Sequence, residues 1–102
     1  MPALPLDDTA LVLERQKTKP PRLYKVILFN DDYTTMDFVI EVLQQFFNMN
    51  MEQAQTVMLK IHNTGSAVCG MYSRDVAETK VNQVVEYAQQ HEHPLRCSME
   101  EN

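Results

Sequence analysis

Apolar residues follow two periods along this chain, and the change from one to the other marks out its elements. Tyr24, Val26 and Leu28 alternate with Lys25, Ile27 and Phe29, a strand pattern rich in aromatic and β-branched residues. The period then lengthens. Met36, Val39, Ile40, Leu43, Phe46 and Phe47 fall at helical spacing, with Thr34 and Thr35 as candidate caps and Asp37 near the positive end. Asn50, with Gln53 at the capping-box position, opens a second helix carrying Met51, Ala54, Val57, Met58 and Ile61. Asn63-Thr64-Gly65 supplies its left-handed stop. Ala67–Tyr72 reads as a second strand. Ser73 caps a third helix, whose stripe is Ala77, Val81, Val84, Val85 and Ala88 and which ends before Pro94. Leu95–Met99 is a short last strand, with Leu95, Cys97 and Met99 on one side and Arg96 and Ser98 on the other. The order β-α-α-β-α-β predicts an α+β domain: a three-stranded antiparallel sheet covered on one face by three helices.

Residues 1–22 read as a flexible N-terminal extension, with scattered charges and a proline-rich close at Lys19-Pro20-Pro21-Arg22. Residues 23–102 form the expected core, and 102 residues at 44% hydrophobic content suit one domain. The charge balance, 9 basic against 14 acidic, argues against nucleic acid as a partner. No apolar run approaches a membrane span, and the first residues lack the basic start and apolar centre of a signal peptide, so a cytoplasmic protein is expected. Cys69 and Cys97 read as buried free thiols rather than a disulfide.

The chemistry concentrates where the two periods meet. Asn30, Asp31 and Asp32 follow the first strand directly. If the chain stays extended, Asn30 and Asp32 point to one side and Asp31 to the other, beside Met36 and Val39. That is a polar patch next to an apolar wall, the composition of a small-ligand site. His62 shares a face with Met58 and Ile61 and reaches the same rim if the two helices pack. Simpler readings stand beside this one. Asn and Asp start turns and cap helices, and a histidine in a last helical turn is favoured by the dipole alone.

A calcium loop fits Asn30, Asp32, Thr34 and Glu41 at positions 1, 3, 5 and 12, but Thr35 stands where the loop needs glycine and Phe38 where it needs an acceptor. A divalent-metal or hydrolytic site on Asp31, Asp32 and His62 is the remaining alternative. His91 and His93 read as decoration of a helix end, without zinc-finger spacing.

The stretch Lys25–Ile40, KVILFNDDYTTMDFVI, resembles the signature of the ClpS adaptor family, as do Met58–Gly65, Ala67–Gly70, Val76–Lys80 and His91–Leu95. The likeness covers about residues 22–100, with the motifs in family order. It implies a monomeric, cofactor-free, non-enzymatic adaptor. Such an adaptor recognises the first residue of a substrate, typically Leu, Phe, Tyr or Trp, and delivers it to the AAA+ unfoldase ClpA of the Clp protease. By position, Asn30, Asp32 and His62 hold the substrate's α-amino group, with Asp31 at the edge. Thr34, Met36, Val39, Met58, Ile61 and Leu95 shape the slot for the first side chain. Asp75, Glu78 and Lys80 become candidates for docking to the N-terminal domain of ClpA, against the plainer reading of a solvated face with an Arg74–Glu78 pair. Thr35 stands where the family often carries proline and is expected to loosen the start of the helix. Ile61 replaces a common valine, trimming the slot.

Overall fold

The computed structural model describes residues 21–102, so all but the end of the expected N-terminal extension lies outside the described residues. Strand β1 (Tyr24–Phe29) runs into helix α1 (Met36–Phe47) and helix α2 (Met51–Thr64). Strand β2 (Ser66–Tyr72), helix α3 (Arg74–Gln90) and strand β3 (Arg96–Glu101) follow. The sheet order is β2-β1-β3, and β1 pairs antiparallel on both sides. The predicted class and element order therefore hold. Leu28 faces Ala67 on one side and Cys97 on the other, and all three pack into the core beneath the helices. Cys69 is the extra residue of a bulge, since Val26 opposes Gly70 while Ile27 opposes Val68. A Cβ on Gly70 would lie 2.4 Å from the Tyr72 hydroxyl, so the tyrosine ring occupies the space a side chain would take.

Local chemistry sets most of the element ends. The Thr35 hydroxyl accepts from Phe38 N–H at 3.1 Å, so this residue caps α1. Asn50 and Gln53 form the complete capping box of α2. Gly65 ends α2 at φ 97°, a left-handed conformation that favours glycine, and its N–H reaches Ile61 C=O at 2.9 Å. Ser73 stands at the N-cap of α3, but its side chain makes no capping bond. β3 begins one residue later than its pattern suggests and continues to Glu101, because pairing with β1 extends to Tyr24↔Glu101. Arg22–Glu101 at 2.8 Å and Asn102 N–H to Leu23 C=O at 3.0 Å fasten that end.

The buried face of α1 is rotated from the one its spacing suggests. Phe38, Val39, Val42, Leu43 and Phe47 are buried, whereas Met36 is 45% exposed and Ile40 and Phe46 are half-buried. α1 packs on both α2 and α3, so its hidden surface is wider than one stripe. Ile27 is also buried, although strand alternation sets it opposite the core-facing Val26 and Leu28.

Gly65→Ala separates conformation from crowding, because nothing lies within 4 Å of the added Cβ. A loss of about 1 kcal/mol in urea unfolding is expected, from the left-handed backbone alone.

Candidate functional site

The end of β1 is joined to the end of α2 by a single backbone hydrogen bond, Asn30 N–H to Gly65 C=O at 2.9 Å. It brings the turn after β1 next to His62, in the last turn of α2. Asp31 shapes the turn itself. One of its carboxylate oxygens accepts from Tyr33 N–H at 2.9 Å and Thr34 N–H at 2.7 Å, and the other accepts from the Thr34 hydroxyl at 2.6 Å. Burial tends to raise the Asp31 pKa, but the Thr34 hydroxyl, the Thr34 and Tyr33 amides and the nearby His93 together bring it below the ordinary carboxylate value. The turn-forming reading of the acidic run thus holds for Asp31. None of the side-chain hydrogen bonds among the described residues uses Asn30, Asp32 or His62.

Between the turn, α1 and α2 lies a cavity of about 220 Å³. Asn30, Asp31, Asp32 and His62 line its polar side, and Asn30, Asp32 and His62 are exposed. Val39, Met58 and Ile61 are buried and give it an apolar floor, with Thr34 half-buried and Met36 exposed at the side. These residues come together as the sequence suggests. Leu95 does not join them: it is 4% exposed and lines a second cavity, on the β3 side. The pairing of Phe29 with Arg96 brings Leu95 level with Asn30, but one strand over, so another cavity claims its exposed edge.

His91 and His93 do more than end a helix. The His93 ring stacks on Phe38 at 4.1 Å between centroids, and His91 lies 4.3 Å from the Tyr87 ring. Tyr87 in turn stacks on Phe38 and donates its hydroxyl to Glu41. This aromatic group backs the first turns of α1. Its only trace in the sequence is the pair of histidines just before Pro94, because ring stacking across α1 and α3 has no periodic signature.

On the opposite end of α3, Asp75 and Glu78 are exposed, next to Val76 at 44% exposure, an apolar member of that surface the sequence reading passed over. Lys80 behaves differently. Its ammonium donates to Phe46 C=O at 2.6 Å and sits 5.7 Å from the Tyr72 ring centroid. It satisfies a carbonyl at the end of α1, whose last turn has no basic residue of its own. The expected Arg74–Glu78 pair is not among the ion pairs of the described residues, which join Arg22 to Glu101 and Lys25 to Glu100.

Among the described residues, no group of three or more His, Cys, Asp or Glu side chains is placed to hold a metal ion, so the metal alternative gains no support. The thiols of Cys69 and Cys97 are both pushed up to about 12 by burial, far from the range of a nucleophile. No described helix is long and apolar enough to cross a membrane.

Because the Asp31 pKa is lower in the folded chain, its contribution to stability is complete above the unfolded value near 3.8 and is lost as pH falls through the folded one. The stability difference between the protein and Asp31→Asn is therefore expected to be constant from pH 7 to about 5 and to shrink below about 4, in urea unfolding at each pH.

Comparison with known proteins agrees with this geometry. Residues 19–98 match the family model described as ATP-dependent Clp protease adaptor protein ClpS. The ATP-dependent Clp protease adapter protein ClpS of Nitrosospira multiformis is 59% identical over 95 residues, 93% of each chain. That of Hydrogenovibrio crunogenus is 54% identical over 102 residues, 98% of each chain. Agrobacterium tumefaciens ClpS2, solved bound to L-phenylalaninamide, superposes with a TM-score of 0.78 at 40% identity, covering 80% of this chain and 99% of that one. With its motifs and fold in agreement, the chain belongs to the ClpS family of Clp protease adaptors.

Proposed function

We propose that the cavity between β1, α1 and α2 binds the free α-amino group and bulky apolar first side chain of N-degron substrates, for delivery to the AAA+ unfoldase ClpA. The observation that carries this reading is the composition of the cavity. Asn30, Asp32 and His62, uncommitted to other described side-chain bonds, border a floor of Val39, Met58 and Ile61. The ligand of the Agrobacterium relative, an amino acid amide with an amine and an aromatic ring, offers the same two features.

The chemistry follows from proton count. A peptide α-amino group has a pKa of roughly 7.7–8.0, so near neutral pH it is mostly an ammonium with three donors. An amide oxygen, a carboxylate and an imidazole nitrogen are matching acceptors. An internal peptide bond or an acetylated terminus brings one neutral N–H and leaves acceptors unpaired, which costs more than a missing contact. The cavity of about 220 Å³ suits one side chain, since a dry cavity of ~150 Å³ holds benzene.

Each charge-assisted hydrogen bond contributes about 1.5–3 kcal/mol and a buried Leu or Phe side chain roughly as much. Ordering the substrate removes several kcal/mol, leaving an affinity around micromolar or somewhat tighter. Such binding suits an adaptor that must release its cargo. Met36 and Met58 adapt to both Leu and flat rings, while a β-branched first residue carries its bulk against the first turn of α1. Met36, at the side of the cavity, is the gate in this reading.

A separate surface on the first turns of α3, with Asp75, Val76 and Glu78, is the docking face for the N-terminal domain of ClpA. Lys80 borders it with its charge already engaged at Phe46 C=O.

Fluorescence anisotropy with a Phe-starting peptide and its N-acetylated twin tests the central claim. The first is expected to bind near micromolar and to weaken above about pH 8 as the amine loses its proton, and the second to show no binding. Equal binding of the two ends the reading. In the same assay Met36→Ala is expected to admit an Ile-starting peptide that the parent rejects; unchanged rejection removes Met36 as the gate.

A further inference from the structure

The second cavity, about 490 Å³, opens at the free edge of β3. Val85, Pro94, Leu95 and Cys97 give it apolar walls. Arg96 and His93 are its charged or chargeable lining, and no carboxylate lines it, although the chain as a whole carries a net charge of −5. Arg96 lies over the Phe29 ring at 5.2 Å, and His93 is held by its stack on Phe38 and by its N–H to Ala88 C=O at 2.8 Å. The rim is therefore preformed.

Its place relative to the first cavity suggests its occupant. Asn30 lines the first cavity and Leu95 the second, and both flank the Phe29–Arg96 pair that closes this end of the sheet. His93, Pro94 and Leu95, in the segment leading into β3, line the second cavity. His93 contributes to the low pKa of Asp31 on one side and lines the second cavity on the other. From β1 across β3 to its free edge is two strand spacings, about 10 Å, which roughly three extended residues cover. β3 pairs only with β1 among the described residues, so its outer backbone groups remain open to an added strand.

We propose that the second cavity is a downstream subsite for the same substrate chain, taking an apolar side chain at about the fourth residue with an acidic residue beside it. This rests on the first-residue reading above and adds a preference that the first cavity alone does not create. The substrate runs past the Phe29–Arg96 pair and along the edge of β3. Its apolar side chain lies against Val85 and Leu95, and its carboxylate lies near Arg96.

The test compares two labelled peptides of equal length, one beginning Phe-Arg-Gly-Leu-Glu and one beginning Phe-Arg-Gly-Gly-Gly, with unlabelled phenylalaninamide as competitor. The first peptide is expected to bind about tenfold more tightly than the second. Val85→Glu and Arg96→Glu are each expected to reduce that ratio by at least about threefold while leaving competition by phenylalaninamide unchanged. Equal affinities of the two peptides for the parent protein overturn the subsite. So does a ratio that persists in both variants. Failure of phenylalaninamide itself to compete removes the first-residue reading, and this one with it.

Discussion

The candidate site depends on one hydrogen bond, from the Asn30 N–H at the end of β1 to the Gly65 carbonyl at the end of α2. Together with the β1–β2 register beside it, that bond joins the acidic turn to His62, a strand exit to a helix end more than thirty residues later. The bond forms because Gly65 takes a left-handed conformation, ending the helix and starting the path into β2. β2 then pairs beside β1 from Ser66↔Phe29 onward, so the sheet register and the helix cap fix the same junction. A cap of glycine thus serves both helix termination and the meeting of the polar groups.

Within the turn the Asn30-Asp31-Asp32 run divides its labour. Asp31 is committed to three donors in the next three residues and keeps the turn rigid. The same turn sets Asn30 and Asp32 at the polar side of the cavity. Thr35, capping α1, and the stack of His93 on Phe38 support the turn from the helix side. Acceptor atoms held apart in this way, uncommitted to other described side-chain hydrogen bonds, suit a group that brings several protons at once.

The two ends of α1 serve different needs. Its first turn carries Met36 and Val39 beside the cavity, while its last turn is closed by Lys80 from α3. Lys80 therefore links the surface of α3 to the helix that borders the first cavity. A side chain that looks like a solvated cation in the sequence has its charge on a helix carbonyl, where the macrodipole favours it. Asp75, Val76 and Glu78 are left as the exposed part of that surface.

Element order, most of the caps and the members of the polar cluster were legible along the chain. Caps and strand alternation are local, set by a few neighbouring residues: Asn50 with Gln53, Gly65 after α2, Val26 and Leu28 along β1. The family resemblance implied roles for Asn30, Asp32 and His62 and a lining for the slot, which remain part of the proposed reading. Long-range packing set which face of α1 is buried, turned Lys80 toward the Phe46 carbonyl, stacked His93 on Phe38 and gave Leu95 to a different cavity. Each of those outcomes depends on contacts between segments far apart in the chain. A period in the sequence records which residues share a face, whereas the partner of that face is chosen by packing.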